Sequence, residues 1–358
     1  MARIVRPEDV DAAWLTGALR EAGVLRDGAV TAVTQRGIGN GLVGTSIRFD
    51  LTYDALEPGA PPSVVGKFPA TDETSRQSGA GLRLYLRETS FYRHIAPAVR
   101  IRTPRVFVNE FDPATHDFLL LFEDLTPARG GDQLAGCGVD DAAVAMREIA
   151  GLHAPLWGHA AVDRWDFLGL PPEETARIVQ LVAPVAGLFR ERFADVLANE
   201  VMDAVMRLVK LADKLMHDAA PQRTVLHGDF RLDNVLFDAK GGAWPLATLD
   251  WQTIGRGCGT QDASYFLGAG LREEDRATHE ADLLRLYHEA LLAQGVSDYP
   301  LAQCWRDYRK HSLNGLFMAM FSAISVARTG RGDEMFLTMT RRHACQALEL
   351  SAFELWEP

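Results

Sequence analysis

The chain has 358 residues, 47% of them apolar and 24% charged, which is more than one domain usually holds, so two packed units sharing a cleft are expected. A formal charge of -11 argues against nucleic acid or an anionic membrane as partner, because the average surface repels both, while a cationic substrate is tolerated. The four cysteines form neither a metal-ligand spacing nor a disulfide framework, and neither a cleavable leader nor a run of roughly 20 apolar residues is evident, so a cytoplasmic location is expected.

Along the chain, Val10, Trp14, Leu15, Ala18 and Leu19 recur at near-helical spacing between Pro7 and Ala22, and Gly23 is a stop signal. From Val30 to Phe68 the short β-rich runs AVTAV, TSIRFDLTY and SVVGKF are separated by GIGNGLVG and the turn-rich EPGAPP, the pattern of an antiparallel meander. LRLYLRETSFYRHI reads as a helix with Leu82, Tyr85, Leu86, Thr89 and His94 on its packed face, closed by Pro97. Two more strands, RVFVNE and FLLLFED, flank a hairpin turn marked by Asp112, Pro113 and Asp117.

Beyond Glu123 to Arg129 the texture becomes helical, with periodic segments at Asp140 to His159, Glu173 to Phe193, Val201 to His217, Glu273 to Ala293 and Met335 to Leu355. Brief β-like runs, TVLHGDF, NVLFD and LATLDW, interrupt them between Arg223 and Thr253. A sheet with one helix, a connector, and a helical half holding a polar β-loop insert predicts an α+β fold of two lobes, residues 1–124 and 125–358, with a cleft between them.

The segment richest in chemistry is HGDFRLDNVLFD, where Asp229 and Asn234 share one loop, followed by Asp250 at the end of LATL. Phosphoryl transfer requires a carboxylate to orient the attacking hydroxyl and oxygen ligands to hold magnesium on the phosphates. Asp229 fits the first task, and Asn234 with Asp250 the second, since magnesium prefers hard oxygen ligands and keeps some of its waters. The bland reading is that Asp229, Asp233 and Asn234 cap turns.

HGDFRLDN followed by LDW resembles the catalytic motif and metal-binding Asp of the aminoglycoside phosphotransferase and choline kinase superfamily, in particular ecdysteroid-kinase-like proteins and the kinase domains attached to some acyl-CoA dehydrogenases. The resemblance implies a protein-kinase-like two-lobed fold, with an antiparallel N-terminal sheet plus helix and a mainly helical C-terminal lobe, and ATP and Mg2+ as cofactors. Where protein kinases carry HRD and DFG, this chain has His-Gly-Asp and Asp-Trp-Gln, which points to a small-molecule hydroxyl as acceptor.

Gly39, Gly41 and Gly44 in GIGNGLVG suit close approach of backbone amides to phosphate, and because they join two β-like runs a dinucleotide fingerprint does not fit. Lys67, the only lysine in the first two hundred residues, is either an edge-strand charge or the holder of the α- and β-phosphates. Under the resemblance, Glu88 pairs with Lys67, and backbone groups near Glu123 and Leu125 meet the adenine edge. Asp262 reads as a helix cap or a brace for the catalytic loop, and His227 as a buried hydrogen-bonded support. Arg231 and Asp233 are placed to touch either phosphate or substrate. A nucleotide-binding regulator without catalysis and a protein kinase are the alternative readings.

Overall fold

The computed structural model describes residues 4–39, 43–218, 220, 222–326 and 328–357. Helix α1 (Ala12–Glu21) is capped by the Asp11 carboxylate, which accepts the Trp14 N–H at 2.7 Å, and it buries Leu15, Ala18 and Leu19. Strands β1 (Val30–Ile38), β2 (Gly44–Tyr53) and β3 (Ser63–Pro69) form the expected meander, and β4 (Val106–Phe111) and β5 (Phe118–Glu123) complete an antiparallel sheet of order β1-β2-β3-β5-β4. Strand β5 is apolar from Phe118 to Phe122 because both its faces are covered there. Leu119 and Leu121 share a core with α1, while Phe118, Leu120 and Phe122 point to the core on the other side.

Between β3 and β4 the chain forms α2 (Glu73–Gly81) and α3 (Leu84–Ser90), separated by Arg83 in the left-handed conformation, and α3 continues into a wide π turn over Phe91–Ile95. The packed face therefore differs from the sequence expectation: Leu82, at the end of α2, and His94 are exposed, whereas Tyr85, Glu88, Phe91, Tyr92 and Ile95 are buried. An extra residue in the π turn shifts the inward face by one position.

A short β6 (Arg129–Gly130) leads into α4 (Val139–His153), α5 (Ala160–Arg164), α6 (Pro172–Phe193), α7 (Asn199–Val209) and α8 (Ala212–Met216). The polar insert supplies β7 (Thr224–Leu226), β8 (Val235–Ala239), β9 (Trp244–Thr248) and β10 (Gly255–Gly257), paired as two small sheets, β6-β8-β9 and β10-β7. Helices α9 (Thr260–Gly270), α10 (Glu273–Ala293), α11 (Leu301–Ser325) and α12 (Gly330–Glu349) complete the lobe.

Two apolar cores serve this half of the molecule. Trp157, Trp165, Phe167, Trp305 and Tyr308 join the core that runs up to the N-terminal sheet, so they are structural and not an acceptor pocket. Phe189, Phe317 and Phe321 belong to the second core, which also contains Tyr265 and Met335.

On α11, His311 is buried, its Nε2 3.1 Å from Asp218 and its Nδ1 2.9 Å from Thr260 Oγ1, tying the segment before β7 to α9. Burial opposes charge on this ring, but the Asp218 hydrogen bond, Cys258 and the Asp218 charge together lift it from 6.5 to about 9. Stability from a raised histidine is fully present below its unfolded value and is lost as pH rises through the folded one. Urea unfolding is expected to show stability falling by up to ~3 kcal/mol between pH 6.5 and 9. The same titration of His311→Gln should be nearly flat; an undiminished slope would assign the dependence to another group.

Candidate active site

Alternation along β3 leaves Val65 and Lys67 half-buried between buried neighbours, and the Lys67 stem runs beside Gly44, where an added Cβ would come within 3.4 Å of Lys67 Cε and 3.3 Å of the Phe68 carbonyl. The ammonium lies 2.8 Å and 2.7 Å from the two oxygens of Glu88 on α3, and 2.9 Å from Asp250 Oδ1. Burial alone would lower the lysine's pKa, but Asp250 and Glu88 carry it above the ordinary value, so Lys67 stays charged. Burial raises the Asp250 carboxyl, and the Lys67 charge and hydrogen bond more than reverse this, leaving it below the usual range.

Asp250 itself has φ 63° and ψ 72°, a left-handed conformation uncommon for a non-glycine residue. The following Trp251 stacks on Phe91 of the π turn, with ring centroids 3.7 Å apart and planes 5° apart, and its N–H reaches Glu88 Oε1 at 3.3 Å. Lys67, Glu88 and Asp250 thus form one cluster built from strand, helix and loop.

The second cluster lies in the loop between β7 and β8. Asp229 Oδ1 accepts the Tyr265 O–H at 2.9 Å, Oδ2 accepts the Asn234 Nδ2–H at 2.9 Å, and Arg231 Nε sits 3.1 and 3.0 Å from the two oxygens. Arg231 also bridges to Asp233 at 2.8 Å, and Asp233 accepts the Gln133 N–H at 3.0 Å and lies 3.4 Å from Arg331. Burial would weaken the Arg231 charge, yet Asp229 and its other neighbours raise its pKa. Arg231 and Asp233 are therefore paired to each other, and Arg231 to Asp229.

Beneath the loop, Asp262 of α9 accepts the N–H groups of His227 at 2.7 Å and Gly228 at 3.0 Å, and its Oδ2 lies 3.1 Å from His153 Nε2. This is the brace expected from the sequence. His227 is fully buried; its Nε2 donates to the Leu249 carbonyl at 2.9 Å while Nδ1 accepts the Asp229 N–H at 3.2 Å. Since the Leu249 N–H donates to the Asn234 carbonyl, Leu249 fastens the two clusters side by side.

Of the glycines, Gly39 ends the described part of the loop with φ +73°, Gly44 begins β2, and Gly41 lies outside the described residues. At the end of β5, the Glu123 N–H is used by the Arg105 carbonyl and its carboxylate by Lys240 and the Arg105 N–H. The Leu125 carbonyl accepts the Lys240 N–H, while the Leu125 N–H has no acceptor among the described residues.

Residues 175–295 match the model of the ecdysteroid kinase-like family, a span that includes Asp229, Asn234, Asp250 and Asp262 but not Lys67 or Glu88. The GDP complex of aminoglycoside 2'-phosphotransferase-IIIa superposes with a TM-score of 0.54 at 14% identity, over 93% of this chain and 97% of that one. Choline kinase from Cryptosporidium parvum does so at 0.55 and 11% identity over 95% of each chain, and a microcompartment-associated aminopropanol kinase at 0.51 and 14% over 96% and 98%. The chain has the fold of the aminoglycoside phosphotransferases and choline kinases. No curated protein matches its sequence.

Within this phosphotransferase fold, sequence reasoning missed Tyr265 and Gln133. Tyr265 lies three positions after Asp262, on the same helical face, a spacing that could have found it. Gln133 is fully buried, accepts the Leu232 N–H and donates to the Ala269 carbonyl, and no periodicity marks it. Asp262→Ala would orphan two buried N–H groups and the His153 ring, so chemical denaturation should show a loss of about 2–5 kcal/mol. A loss below about 1 kcal/mol would mean that water replaces the carboxylate and that the loop does not depend on it.

Proposed function

We propose that the protein transfers the γ-phosphoryl group of ATP to a hydroxyl of a small molecule. The observation that carries this reading is the Lys67 ammonium held between Glu88 and Asp250, next to a loop in which Asp229 and Asn234 are hydrogen-bonded to each other. On this reading residues 1–124 bind the nucleotide and residues 125–358 bring catalysis and the acceptor site, in the cytoplasm.

The donor set fits magnesium: among the described residues Asn234 Oδ1 accepts no hydrogen bond, Asp250 Oδ2 accepts only a 3.3 Å contact from Gln252, and both are hard oxygens. Bound there with the nucleotide, the metal supplies charge neutralisation at the phosphates. Gly39 and Gly44 let the backbone approach the phosphates, Lys67 holds the α- and β-phosphates, and the Leu125 N–H, with backbone near Glu123, meets the base. Asp229 accepts the hydrogen bond of the acceptor hydroxyl and aims its oxygen at the γ-phosphorus. The new phosphorus–oxygen bond forms as the bond to the β–γ bridging oxygen breaks and ADP leaves, while the hydroxyl's proton passes to the Asp229 carboxylate and on to water.

The charge around Asp229 bears on the acceptor. Arg231 is shared between Asp229 and Asp233, and Arg331 lies 3.4 Å from Asp233 and 3.7 Å from Asp132, so two guanidinium groups offset most of the charge of these three carboxylates. Glu174 is paired with Arg177 on its own helix, and Asp307 accepts from Tyr299 and Gln303. Such a site favours a neutral or weakly charged alcohol over a polycation.

In a thermal-shift titration, millimolar ATP with magnesium should raise the wild-type midpoint by a few degrees, and Asp250→Ala should abolish the magnesium-dependent part. Asp229→Ala should keep the shift and lose at least about 100-fold in magnesium-dependent ATP turnover. A wild type that ATP does not stabilise would sink this reading. Aminoglycosides should not stimulate ATP turnover, and stimulation by them would overturn the charge argument alone.

A further inference from the structure

The second core ends at the catalytic loop in a stack of two rings. His343 of α12 is fully buried, neither of its nitrogens has a hydrogen-bond partner among the described residues, and burial lowers its pKa to about 3, so the ring is neutral. It fills a slot made by two glycines: a Cβ on Gly315 of α11 would come within 2.2 Å of the imidazole, and one on Gly268 of α9 within 2.6 Å. On its open face the imidazole carries Tyr265, with centroids 5.2 Å apart and planes at 19°. A buried histidine without partners is costly as a polar group and here acts as a flat plate. What the plate holds is the phenol that donates to Asp229 Oδ1.

A carboxylate offers about four lone-pair sites. The Tyr265 hydroxyl takes one, the Asn234 amide another, and the Arg231 Nε–H is shared between the two oxygens. That leaves room for about one incoming hydroxyl, in a direction fixed by the donors already present. Arg231 and Asn234 belong to the loop that carries Asp229 itself. Tyr265 alone reaches Asp229 from a helix, and burial beside Asp229 raises the phenol's pKa, so it remains a donor.

We infer that Tyr265, backed by His343, is the positioning residue that fixes the orientation of the Asp229 carboxylate, and that α9 and α12 thereby set the direction from which the acceptor hydroxyl is received. The inference rests on the role proposed for Asp229. It assigns a function to a tyrosine and a histidine that touch neither nucleotide nor acceptor.

The test is steady-state, magnesium-dependent ATP hydrolysis, with water as acceptor, by wild type, Tyr265→Phe, Asp229→Asn and the double variant. Tyr265→Phe keeps the ring and its stack and removes one hydroxyl. It should lower kcat about tenfold, the worth of one charge-assisted hydrogen bond, with KM for ATP and the thermal midpoint little changed. In the Asp229→Asn background the same change should have no further effect, because a residue that acts through Asp229 loses its influence once the carboxylate is gone. His343→Ala, which removes the plate and leaves the phenol, should lower kcat in the same direction, and imidazole in the buffer should restore part of it.

A Tyr265→Phe enzyme with wild-type kcat, or equal losses in both backgrounds, would overturn the inference while leaving Asp229 in its role. Wild-type hydrolysis by Asp229→Asn would instead remove the role of Asp229, and the inference would fall with it. Absence of any wild-type hydrolysis would have the same consequence.

Discussion

One ammonium group is shared by charged partners from both halves of this molecule. Lys67 comes from the sheet, Glu88 from the helix beside it, and Asp250 from the loop that leaves the small sheet of the other lobe. Removing any one member would leave the others desolvated without full compensation, which makes the cluster an all-or-none contact. The Trp251 and Phe91 rings lie directly behind it, so the position of α3 is set by an apolar stack as well as by charge. The π turn places Phe91 where the stack requires it.

The two clusters are fixed by different means. The Lys67 cluster is held by electrostatics between lobes, and its geometry answers to how the lobes meet. The Asp229 loop is held from below within one lobe, through Asp262, His153 and Tyr287, with Gln133 tying it to the connector and α9. Backbone N–H groups carry much of that anchoring, so the loop keeps its shape when the side chains facing the cleft change. A site that accepts varied alcohols by varying its walls would need such a foundation.

Much of the fold could be read from residue patterns. The meander, the β4–β5 hairpin and the polar β insert follow from alternation and turn residues, and five helical segments from periodicity. Helix α11 escaped because it packs on α6, α9 and α12 at once and shows no single apolar stripe. The face of α3 was misjudged because a π turn has no sequence period of its own. In the candidate site, Asp229, Asn234 and Asp250 stood out because phosphoryl transfer calls for those residue types at close spacing, and the structure sets them in two adjoining clusters. His343 and Gln133 act through neighbours far away in sequence, and side-chain partners over such distances leave no local signal, whereas Tyr265 is marked by its three-residue spacing from Asp262.

The connector between the lobes is fastened in an unequal way. The turn joining β8 and β9 donates the Lys240 N–H to the Leu125 carbonyl and the Gly241 N–H to the Pro127 carbonyl, while the Lys240 side chain holds Glu123 and lies over Trp244. Residues 125–127 are therefore mechanically part of the helical lobe. Any swing of the sheet relative to the helices has its axle just upstream, at Glu123 and Asp124, where Lys240 acts as a stay. The lobes would move like a door on one short hinge pin, with residues 125–127 in the frame and strand β5 on the leaf.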